Sequence, residues 1–65
     1  MEPKLIVKWD CSDRGCPAFY DDGESFLVQG YEATGALSAD LVPDGEGVVR
    51  IPKALLRQLA DAIDL

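Results

Sequence analysis

Two cysteines, Cys11 and Cys16, are the first residues in the chain with chemistry in them, set in C-S-D-R-G-C with four residues between. Three kinds of chemistry fit that spacing. A zinc site would need two further ligands, and the chain has no histidine and no third cysteine. A homodimer pooling four thiolates would supply them. A disulfide is within reach of two strands flanking a short turn, and a small core gains from such a crosslink. Compartment argues against it, because a cytosol keeps thiols reduced. The leading reading is two structural thiols, with Cys11 a small core residue and Cys16 opening a strand.

Asp21, Asp22 and Glu24 form the second cluster, in D-D-G-E. Grouped carboxylates can hold Ca²⁺ or serve as general acid and base. This is not the twelve-residue calcium loop, however, and Asp and Gly are what tight turns use. Asp44-Gly45-Glu46 reads the same way. With no histidine, no Ser–base spacing and no glycine-rich phosphate loop, the chain offers catalysis little, and we expect no enzyme and no cofactor.

The third group is aromatic: Trp9, Phe19, Tyr20, Phe26 and Tyr31. Aromatics on a sheet can stack nucleic-acid bases, but such platforms interleave them with Lys and Arg. Here the interleaving residues are Asp and Glu. Phe19 and Tyr20 point to opposite faces of an extended strand, so one of them is expected at the surface. An exposed aromatic among acids suits a protein contact better.

Twelve acids against six bases leave a net charge of −6. Between Asp10 and Glu46 there are nine acids and a single base, Arg14; from Gly47 onward three bases face two acids. The front of the molecule should repel nucleic acid and anionic membrane and attract a basic protein. No apolar run approaches the ~20 residues of a membrane span. Met1-Glu2-Pro3-Lys4 lacks a signal-peptide pattern, so a cytoplasmic protein is expected.

The elements that must carry these groups fit one domain over residues 1–65. Lys4 to Cys11 is a predicted strand, with Leu5, Val7, Trp9 and Cys11 on one face and Ile6, Lys8 and Asp10 on the other. Ser12 to Gly15 reads as a turn. Pro17 to Tyr20 and Ser25 to Tyr31 read as a hairpin joined through Asp21-Asp22-Gly23-Glu24, with Gly30 marking a bulge or a close backbone approach. Ala33 to Ala39 is a loop, and Asp40-Leu41-Val42 is expected to be a short edge strand. Pro43 to Leu65 is the clearest stretch: a turn, a β-branched strand at Val48, Val49 and Ile51, then a helix opened by Pro52. Leu55, Leu56, Leu59, Ala60 and Ile63 form its apolar stripe, with Lys53, Arg57, Asp61 and Asp64 opposite. The sum is an α+β protein, a small antiparallel sheet of three to five strands packed by one C-terminal helix.

Two resemblances bear on function. G-V-V-R-I-P-K-A-L-L-R-Q-L, Gly47 to Leu59, resembles the strand-to-helix half of AbrB-type swapped-hairpin transcription factors. That resemblance implies a dimer binding DNA through Arg50, Lys53 and Arg57. More of the chain is similar in layout to the small acidic actinobacterial domain of unknown function encoded beside helix-turn-helix regulators. The shared features are an early Trp9, a strand-opening Cys16, two sheet segments, and V-V-R-I-P leading into a terminal helix. This second resemblance implies a regulatory, antitoxin-like partner of a DNA-binding protein. The leading expectation is thus a non-enzymatic acidic interaction module for a basic or DNA-binding protein. Asp21, Asp22 and Glu24 would steer it, and Tyr20 or Tyr31 would anchor it. The AbrB-like dimer and a thiol or zinc module through Cys11 and Cys16 are the alternatives.

Overall fold

The computed structural model describes residues 2–11 and 15–64. Its order is β1 (Lys4–Lys8), β2 (Ala18–Asp21), β3 (Phe26–Gln29), β4 (Tyr31–Glu32), a 3₁₀ turn (Ala39–Leu41), β5 (Val49–Arg50) and α1 (Lys53–Ala62). β1, β2 and β3 form one antiparallel sheet with β2 in the centre, and β4 and β5 form a separate two-stranded antiparallel ribbon. With the single C-terminal helix this is the expected small α+β fold.

The β2–β3 hairpin forms where D-D-G-E demands a turn. Asp21 pairs with Phe26, the Asp22 N–H reaches the Ser25 carbonyl (2.9 Å), and Gly23 takes φ 85°. Asp21 Oδ1 accepts the Gly23 N–H at 2.9 Å, so the first acid of the cluster also builds the turn.

β1 departs from plain alternation. Leu5 pairs with Tyr20 and Val7 with Phe19, leaving Ile6 as an extra residue in a bulge. A bulge turns two successive side chains toward one face. Ile6 and Val7 therefore both pack on the core together with Trp9, and Leu5 faces the other way beside Tyr20. The expected sharing of one face by Leu5 and Val7 is corrected accordingly. Beyond β1, the Trp9 N–H donates to the Pro17 carbonyl (2.7 Å), prolonging the pairing past the bulge. The predicted turn at Ser12 to Gly15 falls mainly on residues 12–14, outside the described residues.

The predicted strand from Ser25 to Tyr31 breaks at Gly30, which separates β3 from β4. A Cβ at Gly30 would lie 2.6 Å from the Arg50 carbonyl oxygen and about 3 Å from Val49 and Ile51 side-chain atoms. This is the close backbone approach expected of that glycine. The ribbon then continues through the Ala33 N–H to the Val48 carbonyl at 3.0 Å. Asp40-Leu41-Val42 is not a strand. The Leu41 and Val42 N–H groups bond back to the Ser38 and Ala39 carbonyls, at 3.0 and 3.3 Å, in a single 3₁₀ turn. Such i→i+3 bonds satisfy the backbone locally. The Pro43 carbonyl accepts from the Glu46 N–H (3.1 Å), and Gly45 supplies the positive φ of that turn.

Helix α1 begins right after Pro52, whose φ of −60° suits a helix entry. Its buried side is Leu55 and Leu59, which cluster with Phe19 under Ile6, Val7, Trp9, Ile51 and Ile63. Lys53, Arg57, Asp61 and Asp64 are exposed as expected. Leu56 is not part of the stripe: it is 56% exposed, 100° around the helix from the fully buried Leu55. A ten-residue helix is only ~15 Å long. It lies along β1, and so leaves the β3 side of the sheet uncovered.

Candidate interaction face

Phe19 and Tyr20 separate to opposite sides of the central strand. Phe19 is buried under the helix, and Tyr20 stands half-buried on the far face. There Tyr20 lies between Leu5 of β1 and Leu27 of β3, its cross-strand neighbours. Its hydroxyl donates to Gln29 Oε1 at 3.2 Å, tying the ring to β3. The Leu5–Tyr20–Leu27 row is apolar, open to solvent, and borders a shallow depression of about 370 Å³ lined by Glu2, Pro3, Tyr20 and Leu27.

The acids sit close by, because the hairpin that carries Tyr20 ends in them. Asp21, Asp22 and Glu24 are all exposed at its tip. Tyr20 thus stands on the strand that leads into the three carboxylates, with Asp21 next to it on the opposite face and across from Lys4. Tyr31, the other predicted anchor, is 55% exposed but belongs to the β4–β5 ribbon, where its cross-strand partner is Arg50. Tyr20 and Tyr31 therefore lie on different sheets. Arg50, Lys53 and Arg57 are exposed and follow one another through the β5–α1 junction, with Lys53 and Arg57 one helical turn apart.

Cys11 and Cys16 are joined to each other as a disulfide, with a Cα–Cα distance of 6.2 Å. The leading reading of two structural thiols is therefore corrected: the pair is crosslinked, Cys11 is exposed and not a core residue, and the buried Cys16 precedes β2 without opening it. Beyond Trp9 the chain leaves the sheet, so its eleventh residue comes out at the surface. The crosslink and the Trp9–Pro17 hydrogen bond close the β1–β2 connection from its two ends. In this form neither sulfur is a thiolate available to a shared zinc site.

Phe26, Leu27 and Val28 went unnoticed as surface residues. All three are exposed, at 49%, 43% and 43%, although they are consecutive in a strand whose side chains alternate between faces. The legible signal was the unbroken apolar run F-L-V itself, which in an antiparallel sheet implies apolar character on both faces. A second depression, of about 360 Å³, lies between the ribbon and the 3₁₀ turn, walled by Ala33, Leu37, Ala39, Val42 and Val48 with Glu46 at its side. Comparison with protein-family models, with curated proteins and with solved structures returns no match to this chain.

Proposed function

We propose that this chain is a non-enzymatic, acidic interaction module that acts as regulatory partner of a basic protein, a helix-turn-helix DNA-binding protein in the leading form. The observation that carries it is the open Leu5–Tyr20–Leu27 row across a hairpin whose exposed tip holds Asp21, Asp22 and Glu24. An aromatic anchor in an apolar surround supplies affinity, and the carboxylates speed encounter with a cationic surface. The resemblance to the small acidic actinobacterial domain points the same way. No helix among the described residues is long and apolar enough to cross a membrane. The module is cytoplasmic in this reading, and its Cys11–Cys16 bond faces a reducing thiol pool.

A tagged pull-down from the native host's lysate, at low and moderate salt with mass-spectrometric identification, tests it. The expected result is one DNA-binding protein, lost as salt rises and lost with Tyr20→Ala. Capture that ignores both salt and Tyr20 would refute the reading. A second reading, an AbrB-like dimer on DNA, is favoured by the exposure of Arg50, Lys53 and Arg57 along one junction. A gel shift at low salt, abolished by Arg50→Ala with Arg57→Ala, would support it, and no shift would end it.

A further inference from the structure

The two edges of the three-stranded sheet are built differently. β1 carries Lys4 and Lys8 and a bulge between Leu5 and Val7, with Pro3 just before it. Charge, bulge and proline are the devices by which natural sheets stop an edge from pairing. β3, the other edge, reads Phe26-Leu27-Val28-Gln29 and has none of them. No other described strand pairs with its outer side. Phe26 and Val28 are exposed on the helix side, because α1 lies over β1 instead, and Leu27 is exposed on the far face. An unguarded, apolar, two-faced edge is a template for another strand.

Surface area says how much remains to be covered. A 7.0 kDa chain folded as an ordinary monomer exposes about 4,000 Å². This one exposes 5462 Å², an excess of roughly 1,400 Å² over that norm. The radius of gyration, 13.0 Å, likewise exceeds the roughly 11 Å expected for its length. The excess is shared between β3 and other exposed apolar residues such as Leu37, Leu41 and Leu56, and a second copy seated on β3 would cover the β3 part of it.

We propose that β3 is the seam of a homodimer, pairing antiparallel with β3 of a second copy to make one continuous six-stranded sheet. A twofold axis normal to the sheet keeps both helices on the same face. It then requires residues directly opposite to share a face. The register that matches apolar with apolar sets Leu27 against Leu27 of the second copy and Phe26 against Val28 of the second copy. The open row thereby runs unbroken across both copies, Leu5–Tyr20–Leu27 continuing into the same three residues in reverse.

Charge permits this in spite of −6 on each chain. In that register the two Gly23 tips lie roughly 25 Å apart, well beyond the ~8 Å screening length at physiological salt. Each acidic tip instead approaches the Gly30–Tyr31 corner of the other copy, whose ladder partner is Arg50. Self-association needs no basic partner, although Leu27 serves both, and it should persist at moderate salt, where the complex with a basic protein dissociates.

Sedimentation equilibrium of the purified chain tests the proposal. The expected mass is twice 7.0 kDa, falling to the single-chain value in the Leu27→Lys/Val28→Lys double variant with its far-ultraviolet dichroism unchanged. Leu5→Lys, on the same open face but on the guarded edge, should remain dimeric. A wild-type chain that stays at 7.0 kDa up to millimolar concentration overturns the proposal, as does a dimer indifferent to the double variant. Should the double variant unfold, amide exchange of the wild type decides. β3 amides that slow with rising protein concentration support the seam, and rates that do not change overturn it.

Discussion

Gly30 shows how tightly one residue can be specified. Its missing side chain lets the backbone of β5 pass at a distance where a methyl group would meet the Arg50 carbonyl oxygen and two side chains at once. Backbone cannot swing aside as a flexible side chain can, so Gly30→Ala should cost about 1–3 kcal/mol, read as a lower urea midpoint. The Cys11–Cys16 pair acts in the opposite sense, closing a loop of separation 5. Loop-closure entropy makes that crosslink worth about 2 kcal/mol. Reduction, or the Cys11→Ser/Cys16→Ser variant, should therefore lower Tm by on the order of 10 °C, measured by calorimetry with and without reductant. At Tyr20, removal of the hydroxyl in Tyr20→Phe frees Gln29 and leaves the apolar row in place. Partner capture should survive that change and fail with Tyr20→Ala.

Among the elements, α1 carries most of the core. Leu55 and Leu59 meet Phe19 from above, and without them the sheet has no covering layer. Leu55→Ala should cost about 2–5 kcal/mol, a large share of what a chain this small can hold. Leu56→Ala, one position along, should change stability by less than about 0.5 kcal/mol. Denaturant unfolding of the two variants side by side measures the contrast. The placement of the same helix, not its length, explains why Phe26 and Val28 are exposed. A length of ~15 Å would cross three strands ~5 Å apart, but the bulge turns Ile6 and Val7 together toward α1 and seats it over β1.

For the whole molecule, the excess surface ties stability to association. If β3 is covered only by a second copy, folding and pairing are linked by mass action. The melting temperature should then rise with protein concentration in the wild type and stay flat in Leu27→Lys/Val28→Lys, as dilution-series calorimetry would show. The seam and the proposed partner row share Leu27, and each acidic tip approaches the second copy. A basic partner would therefore meet the open row as it runs across both copies.

The α+β class, the β2–β3 hairpin, the close approach at Gly30 and the Pro52-initiated helix were legible because each rests on local chemistry. Turn residues, β-branching, a fixed proline φ and a 3.6-residue period act within a few positions of the chain. The turn role of Asp21 was legible for the same reason, and the Cys11–Cys16 bond only as one of several options for that spacing. Tertiary structure alone decided which face each residue took once the pattern was ambiguous. The bulge at Ile6 reversed Leu5, Leu56 fell off the buried stripe, and Asp40 to Val42 bonded locally in a 3₁₀ turn instead of forming a strand. It also decided that β3 stands bare. The length of α1 is written in the sequence, but where that length falls on the sheet depends on how distant residues pack. The candidate face exists because the helix packs on the other side of the sheet, with Phe19, and leaves Leu5 and Leu27 exposed beside Tyr20.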